Sequence, residues 1–139
     1  MDAFTAEERA AMKERASEAK TPRIKKVNPE ADLAEVLAKI EAMPEPDRSL
    51  AQRVHDTVLA AAPELNPKTW YGMPAYAKNG KVICFFQNAS KFKSRYSTLG
   101  FSDSASLDRG VFWPNAYALL SMDEETEQQI TQLVKRAVE

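Results

Sequence analysis

The spacing of hydrophobic positions changes once along this chain, near residue 66. Before that point, large apolar residues recur every three or four positions, as on the buried face of an amphipathic helix. Asn28 and Pro29, a favourable N-cap and first helical residue, precede one such stripe. The two stripes are Leu33, Val36, Leu37, Ile40 and Met43, and then Leu50, Val54, Val58 and Ala61. They predict two packed helices, the second of which ends near Pro63.

The amino-terminal residues predict a different kind of helix. Thr5 and Glu8 have the spacing of a capping box, and we expect a helix from there to about Lys20. Met12 is its only large apolar residue past the cap. Residues 1–27 are therefore predicted to be a weakly packed helical extension of a single domain that spans residues 1–139.

From residue 66 to residue 121 the composition is that of strands. Eleven of the twelve aromatic residues lie between Trp70 and Tyr117. Strands are predicted near 69–71, 74–78, 81–87, 93–99 and 115–120, with Asn79-Gly80 as a hairpin turn. Between Lys81 and Gln87 both alternating sets are apolar, which indicates a central strand covered on both faces.

A last helix follows the strands. Ser121 or Asp123 is its expected cap, and its apolar stripe is Ile130, Leu133, Val134 and Ala137. Links of hairpin length cannot hold the crossovers of a parallel sheet. The sequence therefore predicts an α+β fold with N-terminal helices, an antiparallel sheet of about four to five strands and a C-terminal helix.

Composition narrows the classes of function. The formal net charge of −1 provides no overall field for binding nucleic acid. One cysteine permits no internal disulfide, the first residues lack the pattern of a signal peptide, and no apolar run is long enough to span a bilayer. We expect a cytoplasmic protein that binds no membrane and is a monomer or a weak homodimer.

His55 and Cys84 are of residue types that often act in catalysis, but the sequence favours a structural role for both. His55 lies at the flank of the apolar stripe of its helix, without an acid or nucleophile on its face, so we expect a surface or boundary position. Cys84 lies in the middle of the central strand, and we expect a buried, unreactive thiol.

A metal site can come only from carboxylates. One histidine and one cysteine cannot build a zinc or iron–sulfur site within one chain. Glu7, Glu14 and Glu18 line one stripe of the first predicted helix, which could weakly hold a hard cation such as ferrous iron. The alternative interpretation is a solvated acidic helix face.

The strongest charge pattern lies between Asn66 and Ser102, where there is no Asp or Glu. Six cations alternate with eight aromatic residues in this stretch. The cations are Lys68, Lys78, Lys81, Lys91, Lys93 and Arg95. A basic, aromatic sheet surface can bind single-stranded nucleic acid or an anionic small molecule. The alternative is that the aromatic residues are core and the lysines protect strand edges.

The tryptophan-containing segments supply candidate ligand-binding residues. Tryptophan N–H groups need partners, and both segments contain proline. The candidates are Trp70, Tyr71, Met73, Tyr76 and Trp113. The two segments either form the walls of one cleft or close the end of the sheet. An enzyme using this cleft would rely on Tyr71, Tyr76 or Asp108 as acid or base.

The segment Trp-Tyr-Gly-Met-Pro-Ala-Tyr, from Trp70 to Tyr76, resembles the YdhG-like family of small bacterial domains. The similarity runs over nearly the whole chain and includes 67–86, 96–101 and 107–114, with the leading residues 4–9 typical of one branch. The resemblance implies a compact α+β fold with an antiparallel sheet. Some members are described as frataxin-like iron chaperones, but no ligand motif of the family maps onto particular residues here.

These observations rank three hypotheses. The first is a non-enzymatic binding or carrier module for a small molecule or metal, which would handle iron through the carboxylates of the first helix. The second is a sheet-surface binder of nucleic acid or an anionic small molecule through residues 66–102. The third is an enzyme, ranked last because no activated nucleophile or carboxylate pair is present.

Overall fold

The structure is a computed structural model, and it describes residues 5–11 and 28–139. Its elements are α1 (Pro29–Glu41), α2 (Asp47–Ala61), β1 (Asn66–Trp70), β2 (Met73–Lys78), β3 (Lys81–Gln87), α3 (Ala89–Phe92), β4 (Ser97–Phe101), β5 (Ala116–Leu119) and α4 (Glu124–Ala137). Residues 6–11 are also helical. Helices combined with an antiparallel sheet and a C-terminal helix confirm the predicted α+β class.

Within the described ranges, the five strands form one sheet in the order β1-β2-β3-β4-β5, and every neighbouring pair is antiparallel. Two tight turns make this order possible. Tyr71-Gly72 and Asn79-Gly80 have φ values of 52°, 75°, 53° and 81°. Positive φ at both central residues is the geometry of a two-residue hairpin turn that matches strand twist. β1 and β5 are therefore the two edges of the sheet.

The long helices lie on one face of the sheet, and the core lies between them. α1 packs against β1 and β2, while α4 packs against α2. Cys84 and Phe86 of β3 point to this helix face, and their cross-strand partners Phe101 and Leu99 do the same. All four side chains are at most 3% exposed. The central-strand prediction for β3 is confirmed.

The opposite, outer face is covered by aromatic rings. The Phe85 ring lies directly over Gly100 of β4, so that a Cβ added at Gly100 would overlap it. The Trp70 and Phe85 ring centroids are 5.2 Å apart. Beneath this layer Ala75 is fully buried and Met73 is 5% exposed. The two cross-strand partners of Phe85, Ala75 and Gly100, are small and leave room for its ring.

The local helix signals are confirmed. The Asn28 side chain accepts a hydrogen bond from the Ala31 N–H at α1, and Asp123 accepts one from the Thr126 N–H at α4. Thr5 and Glu8 exchange the two bonds of a capping box. The described chain has no helix with the length and apolarity that crossing a membrane requires. The expectation of weak packing covers residues 1–27, of which 1–4 and 12–27 lie outside the described residues.

Two strands differ from their predicted bounds by more than one residue. β1 runs over Asn66–Trp70 rather than 69–71, because Tyr71 belongs to the turn. The predicted strand 93–99 begins only at Ser97, because α3 ends at Phe92 and the next residue, Lys93, is left-handed with a φ of 55°. A contact distant in sequence holds the start of α3: the Asp47 carboxylate accepts a hydrogen bond from the Ser90 N–H (2.9 Å).

Candidate functional site

Three of the predicted ligand-binding residues lie together on the outer face. The Trp70 ring packs edge-on against Tyr71, with a centroid distance of 4.8 Å, and Met73 is the cross-strand partner of Trp70. The Lys91 ammonium donates a hydrogen bond to the Tyr71 carbonyl. Trp70 and Tyr71 remain half-exposed. They form an aromatic layer over the sheet.

Tyr76 lies on the other face, inside the core. Its hydroxyl is 2.9 Å from Nδ1 of His55 on α2, and both residues are buried. The expectation that His55 occupies a surface or boundary position is wrong: the residue is 5% exposed. Helical spacing placed it at the flank of the stripe, but Tyr76 reaches that flank from the sheet. The polar pair is satisfied internally and is closed to a ligand.

Trp113 is separated from Trp70. Trp113 packs against the core from the connection before β5, whereas Trp70 belongs to β1 at the opposite edge. Four strand spacings separate the two edges, about 19 Å. The two tryptophans therefore do not form the walls of one cleft. Asp108 is exposed on the same connection as Trp113.

The predicted metal stripe is described only at its first residue. The Glu7 carboxylate is 3.0 Å from the Lys93 ammonium, and this hydrogen bond lowers the pKa of Glu7 below its usual 4.5. Glu14 and Glu18 lie outside the residues that the structure describes. Within residues 5–11 and 28–139 no three His, Cys, Asp or Glu side chains are grouped as metal ligands. The ferrous iron site stays a prediction.

Three cations of the acid-free stretch contact neighbours within the chain. Lys78 donates to the Val138 carbonyl, Lys93 pairs with Glu7, and the Arg95 guanidinium lies 5.1 Å from the Tyr96 ring centroid. The aromatic residues divide between the two faces of the sheet, since Tyr76 is in the core and Trp70 is on the outer face. Lys78, Lys93 and Arg95 are thus engaged by different neighbours, and the nucleic-acid interface stays a prediction.

A concave site does exist, at the β5 edge. It is a cleft of about 690 Å³ between β4–β5 and α4. Leu99 and Leu119 of the sheet and Ile130 and Leu133 of α4 supply its apolar surface. The polar lining side chains are Arg95, Ser121, Thr126, Gln129, Gln132 and Arg136, and the remaining ones are Tyr96, Tyr117, Ala118 and Leu120.

The cleft exists because α4 packs on α2 and not squarely on the sheet. Ile130, Val134 and Ala137 are buried, whereas Leu133 is half-exposed. A helix presents residues three and four apart on one side, so Leu133 and Arg136 face the same direction. β5 has four residues and ends the sheet, which leaves the space beside Leu133 unfilled. The volume is in the range that holds a drug-sized molecule.

The charge in this cleft has one sign. None of its described lining residues is an Asp or Glu, and Arg95 and Arg136 are both cationic. A guanidinium binds a carboxylate or phosphate through two parallel N–H donors. The apolar surface is suited to a hydrocarbon or aromatic group. The arrangement can therefore hold a molecule with an apolar body and an anionic head.

Sequence reasoning identified only part of this site. Arg95 and Tyr96 belong to the acid-free stretch, which the sequence indicated as a candidate binding surface. Arg136 was not indicated, because a cation in the last turn of a helix is expected to stabilise the helix C-terminus. One signal was available. Leu119 and Leu120 are adjacent at the end of a strand, where side chains alternate, so both cannot be in one core. Leu120 is 68% exposed.

Comparisons with known proteins add no name to this site. No protein-family model matches the chain, no curated protein matches it, and no solved structure matches it. The resemblance to the YdhG-like family therefore stays an expectation from the sequence. The geometry of the cleft is the basis on which its function is inferred.

Proposed function

We propose that this protein is a non-enzymatic binding module for a small amphipathic anion, held in the cleft between β4–β5 and α4. One observation supports this above all others: an apolar cleft of about 690 Å³ carries two arginines and no described acidic side chain. The proposal keeps the predicted class of binding or carrier module. Its ligand chemistry is that of the second hypothesis, an anionic small molecule.

The expected mode of binding follows from the lining. The apolar body of the ligand contacts Leu99, Leu119 and Leu133, and its removal from water supplies most of the affinity. Arg95 or Arg136 binds the anionic head, with a charge-assisted hydrogen bond worth about 1.5–3 kcal/mol. The glutamine amides offer further donors to a carboxylate or phosphate.

The absence of catalytic geometry favours binding over turnover. His55 is buried against Tyr76 and does not line the cleft, and Cys84 is fully buried. Burial raises the pKa of the Cys84 thiol to about 12, which keeps it protonated near neutral pH. The described lining therefore offers no activated nucleophile.

The test is a titration of the full chain followed by amide NMR. Octanoate and octyl phosphate are the anionic probes, and octanol is the neutral control. We expect shifts at Leu119, Ile130 and Leu133, and an affinity about tenfold lower for the anions in Arg136→Gln. The same substitution leaves octanol binding unchanged. Stronger binding of one anion than the other identifies the preferred head group.

Lys135→Gln is the matched control, because Lys135 is an exposed neighbour of Arg136 on α4 and does not line the cleft. It removes the same charge from the same helix. Equal losses of octanoate affinity in Lys135→Gln and Arg136→Gln would show that the net charge of the protein attracts the anion, and that Arg136 makes no specific contact with it. Absence of shifts in the cleft residues with both anions would refute the proposed site.

A further inference from the structure

The outer side of β5 is an unprotected strand edge. Within the described ranges, β4 is the only strand that pairs with β5. The Phe101 N–H donates to the Asn115 carbonyl (2.8 Å), which makes Asn115, Tyr117 and Leu119 the residues whose backbone faces β4. In an antiparallel ladder this orientation alternates. The N–H and C=O groups of Ala116 and Ala118 therefore point away from the sheet.

The two edges of the sheet differ in protection. β1 carries Pro67 and Lys68 and lies beside α1, where the Thr69 hydroxyl donates to Glu35. Proline, lysine and a covering helix are common means by which proteins block edge pairing. β5 reads Ala-Tyr-Ala-Leu, with no charge, no proline and no bulge. Both alanines are exposed.

Large apolar side chains are exposed at both ends of this edge. Val111 and Phe112, in the connection before β5, are 99% and 92% exposed. Leu120, directly after β5, is 68% exposed. These three are among four large hydrophobic residues exposed in the described chain, and the fourth is Leu37. Exposed apolar side chains grouped around one feature indicate an interaction surface.

We propose that β5 is the interface of a two-fold homodimer, in which the β5 strands of two copies pair antiparallel. Antiparallel pairing about a two-fold axis makes the edge self-complementary. It places the start of one β5 opposite the end of the other, so Phe112 of one copy lies at the Leu120 end of its partner. Ala116 and Ala118 then complete their backbone hydrogen bonds across the axis.

Charge supports a second copy as the occupant. Arg109 precedes the start of β5, and the exposed Asp123 and Glu124 follow its end. Antiparallel pairing brings the Arg109 end of one copy, which also carries Asp108, to the acidic end of the other, twice in each dimer. It keeps the two acidic ends apart, and avoiding like charges across an interface favours this orientation over the parallel one. A single chain thus carries both the arginine and the carboxylates that each contact requires.

Sedimentation equilibrium of the full chain without any ligand tests the proposal. We expect a reversible dimer for the wild type. Ala116→Lys/Ala118→Lys places four lysines along the paired edge, so the dimer dissociation constant should rise by at least about tenfold. Ala116→Ser/Ala118→Ser is the neutral control and should keep the dimer. Circular dichroism verifies that each variant is folded.

A charge exchange gives a second, independent readout. Arg109→Glu should weaken the dimer, and Arg109→Glu combined with Glu124→Arg should restore it, because the exchanged charges meet again across the axis. A wild type that stays monomeric up to millimolar concentration overturns the proposal. A dimer that survives the lysine variant also overturns it, since association then uses another surface. Neither result depends on a ligand in the cleft.

Discussion

The Nδ1 atom of His55 lies 2.9 Å from the hydroxyl oxygen of Tyr76, and this pair joins α2 to β2 inside the core. Both side chains are at most 5% exposed. Burial lowers the pKa of His55 below its usual 6.5, with Asp56 acting in the opposite direction, and burial raises the pKa of Tyr76. Each group is therefore held neutral near pH 7, and the Tyr76 hydroxyl and His55 Nδ1 share one hydrogen bond.

This pair predicts a dependence of stability on pH. Above pH 6.5 the His55 ring is neutral in both the folded and unfolded states. As the pH falls below 6.5, the unfolded chain takes up the proton first, so the free energy of unfolding falls until the pH reaches the folded pKa. We expect a slope of up to about 1.4 kcal/mol per pH unit in urea denaturation.

The control for this prediction is His55→Gln, which removes the titrating ring. Carboxylates whose pKa is lowered, such as Glu7 and Glu45, lose their contribution only as the pH falls below about 4.5. The interval between pH 6.5 and 4.5 therefore isolates the histidine. An equal slope in His55→Gln and the wild type over this interval would contradict the assignment.

Gly100→Ala should destabilise the protein through Phe85. The added Cβ would overlap the Phe85 ring, which must leave its position on the outer face. Overpacking of this kind costs about 1–3 kcal/mol. Urea denaturation of Gly100→Ala, Phe85→Leu and the double variant measures the coupling. We expect Gly100→Ala to cost less in the Phe85→Leu background, and strict additivity would show that the two residues do not interact.

Asp47→Ala should be among the more damaging single substitutions on α2. The Asp47 carboxylate is 5% exposed and accepts hydrogen bonds from Asn88 Nδ2 (3.1 Å) and the Ser90 N–H (2.9 Å). Its removal leaves two donors without a partner, at a cost of about 1–3 kcal/mol for each that stays buried. The measurement is the free energy of unfolding.

Asp56→Ala is the comparison for Asp47→Ala, because Asp56 is exposed on the same helix and, among the described residues, accepts a bond from the Gln52 amide. Its loss should cost well under about 1 kcal/mol. The amide resonances of residues 89–93 should shift in Asp47→Ala alone. A stable Asp47→Ala protein with unchanged resonances there would show that α3 is held by other contacts.

Cys84 should resist modification in the folded protein. The thiol is fully buried and its pKa is raised to about 12, so little thiolate forms and reagents cannot reach it. We expect its reaction with an aromatic disulfide reagent to follow the rate of opening of the core, and to accelerate with urea. Ser121→Cys, at an exposed position, is the positive control. Rapid modification of Cys84 in native buffer would contradict this burial.

The sequence alone determined the elements whose causes are local. Asn28 and Asp123 cap their helices with their own side chains, and Asn79-Gly80 supplies the positive φ values of a hairpin turn. Apolar spacing predicted α1, α2 and β3, and the short links between strands predicted the antiparallel sheet. Each of these signals acts between residues a few positions apart, which is why the fold class could be predicted.

Only the tertiary structure decided which side chains meet. Helical spacing put His55 at a flank, and Tyr76, 21 residues away, made that flank part of the core. Asp47 acts 43 residues along the chain, where its carboxylate accepts the Ser90 N–H at the start of α3. The cleft lies between α4, which packs on α2, and the β4–β5 side of the sheet, and Leu133 and Arg136 line it. Packing between distant segments sets these relations, and no local pattern encodes them.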